Sequence, residues 1–180
     1  MTGFKDRILR AAKLDVHLYE EVETDKSALP QAMGVVVLSS IAAGIGSIGV
    51  GATGLGSILI GIIAALAGWY VWAFLTYFIG TKVLPEPQTH ADHGELLRTI
   101  GFSSSPGLMR ILGIIPGLGA VVFSVASIWM LVAMVIAVRV ALDYKSTWRA
   151  VGVCLIGWVI QAVFLMLLFS LFGAPPPPAG

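Results

Sequence analysis

The chain of 180 residues is 57% hydrophobic and 12% charged, with a formal net charge of +1. A soluble domain carries about 25% charged residues, so this composition excludes an ordinary soluble protein and favours an integral membrane protein. The near-zero net charge argues against nucleic-acid binding. Cys154 is the only cysteine and lies in an apolar stretch, which excludes an intrachain disulfide and a cysteine metal cage.

Residues 1–29 form a polar arm before the first apolar run. Five apolar residues of the arm have near-helical spacing: Phe4, Ile8, Ala11, Ala12 and Leu18. Four basic residues lie between them: Lys5, Arg7, Arg10 and Lys13. This pattern predicts one basic amphipathic helix that lies on the cytoplasmic headgroups.

An acidic patch follows the basic part of the arm. Its carboxylates belong to Glu20, Glu21, Glu23 and Asp25. One interpretation is a solvated linker. The other is a docking site for a basic partner at the membrane surface.

Five apolar segments follow the arm. A helix needs about 20 residues to cross the ~30 Å hydrocarbon core, and five segments approach or exceed that length: residues 30–50, 55–79, 93–115, 117–142 and 148–172. The predicted fold is therefore all-α, a five-span transmembrane helical bundle over residues 30–172. A proline-rich tail, residues 173–180, follows it.

A glycine-rich run at residues 49–54 separates the first two segments. Its letters match the nucleotide-binding pattern G-x-G-x-x-G. That pattern requires a preceding strand and an acidic residue about 20 positions later, and the sequence has neither. We therefore predict a short turn.

The third segment is the least regular. Asp92 and Glu95 have the spacing of a capping box, and the helix that follows has Arg98 on its polar face. Pro106 lacks a backbone donor and predicts a break or kink, and Pro116 begins a Pro-Gly-Leu-Gly turn. An interfacial helix that feeds a short, kinked third span is favoured. The alternative is a re-entrant hairpin, which leaves four spans.

Basic residues alternate between the connections. The successive exposed segments carry five, none, two, none, three and no Lys or Arg. Cytoplasmic loops of membrane proteins are enriched in Lys and Arg, so the counts predict a cytoplasmic N-terminus and an external C-terminus in a bacterial inner membrane. Four spans would place the Arg139–Arg149 cluster outside, against this rule.

Two polar side chains inside the apolar segments are functional candidates. Arg110 is the one charge well within a segment, and charges at membrane depth are functional hypotheses by default. The alternative is that Arg110 extends to the outer interface. Gln161 also needs a partner in hydrocarbon, and an Arg110–Gln161 contact is one hypothesis. Pro106 and Pro116 complete the candidate set because they shape the third segment.

Other chemistry-bearing residues have structural explanations. His90, Asp92, His93 and Glu95 are metal-ligand types in a tight loop, but capping explains both acids and the immediate sequence offers no third anchored ligand. We expect a solvated loop without a metal. No catalytic constellation occurs and no cofactor is expected. Apart from Glu95, which the cap of the third segment explains, the segments contain no Asp or Glu for proton- or sodium-coupled transport.

Tryptophans and small residues line the predicted helices. Trp69, Trp72, Trp129 and Trp158 lie well inside segments, where they either line a pocket or pack against small residues. Small-x-x-x-small pairs are frequent: Ser40/Gly44, Ala42/Gly46, Ser47/Gly51, Gly61/Ala65, Ala64/Gly68 and Gly113/Gly117. Such pairs let helices approach closely in lipid. They predict a tight bundle and offer an interface for self-association.

The order of several motifs resembles that of the Yip family, the Ypt/Rab-interacting-protein membrane domain, in its bacterial branch. The motifs are residues 21–25 (EVETD), 75–80 (LTYFIG), 94–102 (GELLRTIGF), 105–108 (SPGL), 115–119 (IPGLG), 129–133 (WMLVA) and 137–143 (AVRVALD). The resemblance implies a five-span bundle with a cytoplasmic N-terminus. Eukaryotic members associate with Rab-type GTPases in vesicle traffic, but their Asp-Leu-Tyr-Gly-Pro motif is absent here.

Two functions compete at this point. The first is a non-enzymatic membrane scaffold or adaptor that contacts the bilayer and associates with itself or with other membrane proteins. The second is a transporter or channel for a lipid or small solute that uses Arg110 and the kinked third span. The absence of catalytic groups and the many small-residue pairs favour the first.

Overall fold

The computed structural model describes residues 3–48 and 55–172. The predicted glycine-rich turn at 49–54 and the proline-rich tail at 173–180 lie outside the described residues. The described part consists of helices and their connections and contains no strand, which confirms the all-α prediction.

Seven α-helices, a π-helical turn and two 3-10 helices follow one another in the described part. The α-helices are α1 (Phe4–Ala12), α2 (Val16–Thr24), α3 (Leu29–Ile48), α4 (Leu55–Phe78), α5 (His93–Phe102), α6 (Gly119–Ala141) and α7 (Thr147–Phe172). The π-helical turn Ile79–Val83 extends α4. A short 3-10 turn, Lys26–Ala28, precedes α3, and the long 3-10 segment Ser105–Ile114 follows α5.

Four helical stretches of the described part are long and apolar enough to cross a membrane. They are Lys26–Ile48, Ile58–Val83, Gly119–Ala141 and Thr147–Phe164. The composition had already indicated that the protein lies in a bilayer, because the core of a soluble protein of 180 residues cannot bury so much apolar surface. The four stretches agree with a multi-pass membrane protein.

The N-terminal arm is packed against the bundle. It consists of two helices, α1 and α2, rather than the single predicted helix, and the chain reverses between them at Leu14, whose φ is +62°. Ala11, Leu18 and Tyr19 are fully buried. Arg7, one of the basic residues of the predicted amphipathic helix, is buried, with only 5% of its surface exposed. Arg7 stands one helical turn before Ala11 and therefore shares its buried face.

The third segment runs alongside α3 in the same direction. Gly101 of α5 lies against Ala32, where an added Cβ would come within 2.7 Å of the alanine Cβ. Further along, a Cβ on Gly113 would lie 3.1 Å from the carbonyl oxygen of Gly46. The third segment therefore runs parallel to α3, from the level of residue 32 to the level of residue 46.

The remaining long helices alternate in direction. Ile58, near the start of α4, lies against Gly44, near the end of α3, so α4 runs back beside α3. Phe123, near the start of α6, also faces Gly46, so α6 runs back as well. Finally, α7 returns beside α4, with Gly157 against the Trp72 ring.

The bundle consequently has two unlike ends. The charged end contains α2, the starts of α3, α5 and α7, and the ends of α4 and α6, whereas α1 lies alongside the bundle and its end reaches Trp129 near the middle of α6. The far end contains the ends of α3, the 3-10 segment and α7, and the starts of α4 and α6. Every Lys, Arg, Asp and Glu except Arg110 belongs to the arm or to a segment at the charged end. The main hydrophobic core also lies towards this end, with Tyr19, Phe102 and Leu142 fully buried.

Turn chemistry sets the limits of the third segment. The predicted capping box is confirmed: the Asp92 side chain accepts from the Glu95 N–H, and the Glu95 side chain accepts from the Asp92 N–H. Pro106 occupies the first turn of the 3-10 segment, where its missing donor costs least. After that segment, the Leu118 N–H donates to the Ile115 carbonyl at 3.1 Å. Gly117, with φ +84°, supplies the left-handed position that a type II turn requires.

Candidate functional site in a cavity between the helices

A cavity of about 790 Å³ lies between α3, α4, α5, the 3-10 segment, α6 and α7. Its wall is largely apolar. Six serines interrupt it: Ser39, Ser40, Ser47, Ser103, Ser104 and Ser127. A mainly apolar wall with a few convergent polar groups is typical of a binding site for a small molecule.

The cavity opens between α4 and α7. These helices meet where Gly157 contacts the Trp72 ring. Beyond that contact, residues 158–164 of α7 are all exposed. On the α4 side, Gly61 and Gly68 line the cavity, and a Cβ on either would meet nothing within 4 Å. The opening is therefore lateral, towards the space that lipid fills.

Arg110 contributes the one charged group of the wall. Its Nη2 donates to the Ser127 Oγ at 3.0 Å, and its Cζ lies 5.6 Å from the centre of the Phe123 ring. Its Nε is buried without an acceptor among the described residues. The backbone is held as well, because even a Cβ on Gly46 would collide with the Arg110 carbonyl oxygen.

No carboxylate stands near Arg110 in sequence. The chain has no Asp or Glu between Asp25 and Glu86, or between Glu95 and Asp143. These two intervals include α3, α4, the 3-10 segment and α6. A positive charge at membrane depth without a counter-charge favours an anion, so the cavity is electrostatically suited to a negatively charged group.

Gln161 belongs to the same cavity but comes from the opposite wall, on α7. The hydrogen bond that the structure gives Arg110 goes to Ser127 and not to Gln161. The structure thus brings both predicted polar residues to one site, although not as the direct pair that the sequence suggested.

The tryptophans divide into two groups. Trp69, Trp72 and Trp158 line the cavity. The Trp69 indole donates to the Leu97 carbonyl at 3.0 Å, whereas the Trp72 Nε1 is buried without an acceptor in the described part. Trp129 lies outside the cavity and donates to the Ala12 carbonyl at 2.8 Å, which fastens the arm to α6.

The two candidate prolines do not line the cavity. Pro106 is buried at the start of the 3-10 segment, and Pro116 is exposed in the turn that follows it. They bracket the segment that carries Arg110. Their role in the structure is to fix where that segment begins and ends.

The acidic patch lies at the charged end and is not a solvated linker. Arg7 Nη2 pairs with Glu21 at 2.9 Å and with Asp25 at 2.7 Å, and Arg7 Nη1 donates to Gln31 at 3.1 Å. Hydrogen bonds from Ser27 and Arg7 hold the pKa of Asp25 below its ordinary value. The patch therefore ties α2 to α1 and to the start of α3.

Glu20 and Glu23 have different surroundings. Glu20 is exposed, and its carboxylate lies 3.0 Å from His17 Nδ1. Glu23 is partly buried; burial first, and then repulsion from Asp143 and Glu95, raise its pKa to about 7. Glu23 thus titrates near neutral pH, unlike an ordinary glutamate.

Two residues at the charged end depart from the sequence expectation. Arg98 was placed on the polar face of α5, but it is only 5% exposed, and its Nε donates to the Val22 carbonyl at 2.9 Å. His93 was expected in a solvated loop. Its ring instead packs edge-on against Tyr70, with ring centres 4.9 Å apart. Only the lengths of these side chains and the apolar neighbours of Arg98 in α5 hinted at either contact.

Metal-ligand side chains are dispersed in the described ranges. No group of three or more His, Cys, Asp or Glu side chains in 3–48 and 55–172 is arranged to hold a metal ion. The candidate site is therefore the cavity with Arg110.

Comparison with known proteins gives one family. The Yip1 domain model matches residues 21–169, which include α3 to α6, the 3-10 segment and most of α7. No curated protein and no solved structure matches the chain significantly. The family match covers most of the chain and agrees with its four long apolar helices. The chain therefore belongs to the Yip1-domain family of multi-pass membrane proteins.

Proposed function

We propose that the protein is a non-enzymatic membrane scaffold or adaptor of the Yip type, which acts through helix–helix and membrane-surface contacts. The observation that carries the proposal is the unpacked half of α7. Residues 158–164 are exposed on every side of the helix, so no neighbouring helix within residues 3–48 and 55–172 covers them.

Gln161 lies in this unpacked half of α7. A side-chain amide in hydrocarbon lacks partners unless another helix supplies them, and such hydrogen bonds contribute to helix association in membranes. The surrounding side chains are large and apolar: Trp158, Val159 and Phe164 are each at least 50% exposed. This surface suits a helix of a second copy or of another membrane protein.

The charged end supplies the membrane-surface contacts. Lys5, Lys13 and Lys26 are exposed on the arm and on the turn that follows it, where they attract anionic lipid headgroups. Of the acidic residues proposed to dock a basic partner, Glu20 is the exposed one. Glu21 and Asp25 are already paired with Arg7.

The proposed topology has five crossings, with the N-terminus in the cytoplasm of a bacterial cell and the C-terminus outside. Two observations support it. All charges except Arg110 belong to the arm or to one end of the bundle, as expected when that end faces the cytoplasm. The third segment also advances beside α3 from Ala32 to Gly46, whereas a re-entrant hairpin returns to its starting side.

Self-association or partner binding tests the adaptor proposal. The full-length protein is crosslinked in native membranes and purified in mild detergent, together with Gln161→Leu and the matched control Val163→Leu. Val163 is also exposed on α7. We expect wild type and Val163→Leu to form an oligomer or retain a partner, and Gln161→Leu to weaken that association. A strictly monomeric wild-type protein without a co-purifying partner contradicts the proposal.

Transport of a lipid or small solute is the second candidate function. The laterally open cavity with Arg110 and Gln161 favours it. Flux into liposomes that contain wild type, Arg110→Leu or Arg110→Lys provides the test. Transport requires flux in wild type that Arg110→Leu reduces at least tenfold and Arg110→Lys partly restores. Absence of flux, or flux that does not respond to Arg110→Leu, removes this candidate.

A further inference from the structure

The Arg110 side chain lines the cavity and is incompletely satisfied within the described residues. Its Nη2 donates to the Ser127 Oγ, whereas its buried Nε has no acceptor there. A donor without an acceptor costs free energy that a bound acceptor recovers after a small change of side-chain conformation. The guanidinium therefore favours a group rich in acceptor oxygens.

The charge of the cavity specifies the group further. Arg110 is the only charged residue of the wall. Its Nη2 donates a hydrogen bond to the Ser127 hydroxyl, which is neutral. A guanidinium presents several N–H donors in a fork that matches phosphate and carboxylate oxygens. An anionic oxygen group satisfies the charge of Arg110 and accepts hydrogen bonds from its guanidinium.

The route into the cavity indicates where that anion comes from. The opening lies between α4 and α7, whose outer surfaces are apolar; Leu59, Ile63 and Val159 are each more than 60% exposed. Such surfaces face hydrocarbon. A dissolved ion does not approach along them, whereas a lipid does, with its headgroup in the cavity and its chains between the helices.

The depth of Arg110 agrees with this route. Its partner Ser127 lies eight residues after Gly119, the first residue of α6. At 1.5 Å per residue, this places the hydroxyl about 12 Å from the far end of the helix. That distance is within one leaflet of the ~30 Å hydrocarbon core, so a lipid of the far leaflet reaches the guanidinium without crossing the midplane.

We propose that the cavity binds one anionic phospholipid from the far leaflet, with its phosphate held by Arg110. The inference goes beyond the adaptor proposal and does not depend on it. It uses the same cavity as the transport candidate but requires binding only. Lipid retention without flux therefore supports the binding site while it removes transport.

Native mass spectrometry of the full-length protein in detergent micelles tests the proposal. Wild type is titrated with phosphatidylglycerol, with phosphatidylcholine as the zwitterionic lipid and inorganic phosphate as the soluble anion. We expect one phosphatidylglycerol molecule per chain, bound at least tenfold more tightly than phosphatidylcholine, and no competition from millimolar inorganic phosphate. Competition by inorganic phosphate overturns the assignment to a lipid.

Variants identify the site of binding. Arg110→Leu should remove the tenfold preference, and Arg110→Gln, which keeps a polar side chain but loses the charge, should remove it as well. Gly61→Phe should block binding, because an added side chain projects into the open cavity. The matched control is Lys82→Leu, which removes an exposed cation at the charged end and should leave affinity unchanged.

The outcomes separate the site from general attraction to charge. Wild-type lipid preference in folded Arg110→Leu overturns the proposal, as does an equal loss in Lys82→Leu. If Arg110→Leu does not elute as a folded species, Arg110→Gln and Gly61→Phe decide. Unchanged phosphatidylglycerol affinity in both also overturns the proposal.

Discussion

The charged end and the far half of the bundle are stabilised in different ways. At the charged end, Tyr19, Phe102 and Leu142 are fully buried, and even the arginines Arg7 and Arg98 are nearly covered by protein. In the far half, the same helices expose large apolar side chains and surround an open cavity. The charged end carries most of the charged side chains, and it buries a core within the protein, although Trp148 and Phe78 are exposed there. The far half can leave its apolar surface to lipid.

Arg7 and Arg98 differ in the same way from Arg110. Arg7 and Arg98 bind carboxylates or backbone carbonyls of the same chain, and they hold the arm and α5 together. Arg110 has a hydroxyl partner, an aromatic ring and an unpartnered Nε beside an open space. The first group is structural, and the second is suited to a ligand.

The largest expected effect is on packing, where a tightly packed glycine of α5 is compared with an open glycine of α4. Gly101→Leu should lower the free energy of unfolding by about 3 kcal/mol or more, because overpacking forces the backbone of α3 and α5 apart. A Cβ on Gly101 already meets Ala32 at 2.7 Å. The matched change Gly68→Leu, where a Cβ meets nothing within 4 Å, should alter stability by less than about 1 kcal/mol. Thermal unfolding in detergent measures both, and equal losses break the comparison.

The ion pairs of the arm provide the second test. Arg7→Met should cost about 2 kcal/mol, because it leaves the carboxylates of Glu21 and Asp25 without their shared cation. Their partial exposure to water limits the loss. The arm should then become accessible to trypsin at Lys13, beside the reversal at Leu14. Lys5→Met, on the exposed side of α1, is the control, and faster cleavage in that variant as well contradicts the account.

A smaller effect is expected where the end of α4 meets the α6–α7 connection. The Tyr144 hydroxyl reaches the carbonyls of Gly80 at 3.0 Å and Leu84 at 2.7 Å. Tyr144→Phe should cost about 1 kcal/mol and lower the midpoint of thermal unfolding by about 3 °C. Tyr70→Phe changes a ring that is 56% exposed and should have no measurable effect. A loss in Tyr70→Phe as large as that in Tyr144→Phe refutes the assigned role.

The smallest effect concerns pH. Because the pKa of Glu23 is raised to about 7 in the folded protein, the folded state binds more protons than the unfolded state between the ordinary glutamate pKa and pH 7. Stability should therefore decrease slightly as pH rises from 5 to 8. Glu23→Gln should flatten this slope. A slope that is unchanged in Glu23→Gln, measured by thermal unfolding across that range, contradicts the assignment.

Local patterns predicted much of this molecule. The four long apolar helices follow from hydropathy, the capping box from the spacing of Asp92 and Glu95, and the turn after the third segment from Pro116 and Gly117. Each depends on residues that are close in sequence. The significance of Arg110 also follows from one local fact, a charge inside an apolar segment, and its functional role stays a prediction.

Contacts between distant segments were not predictable in this way. Arg98 is buried because it reaches the carbonyl of Val22, 76 residues earlier in the chain. The arm is held by Trp129, which is 117 residues from its acceptor at Ala12. Sequence periodicity places a charged side chain on the solvent face of a helix by default, because it contains no information about partners that are distant in sequence. The shared cavity of Arg110, Trp72 and Gln161 likewise arises only when five segments assemble.

The central claim is that the third segment crosses the membrane from the charged end to the far end. His90→Cys, before α5, and Leu118→Cys, after the 3-10 segment, test it in a Cys154→Ala background with a membrane-impermeant maleimide. Both positions are exposed. The account predicts that only Leu118→Cys reacts in intact bacterial cells and that His90→Cys reacts only after the membrane is opened. Reaction of both cysteines from the same side contradicts it.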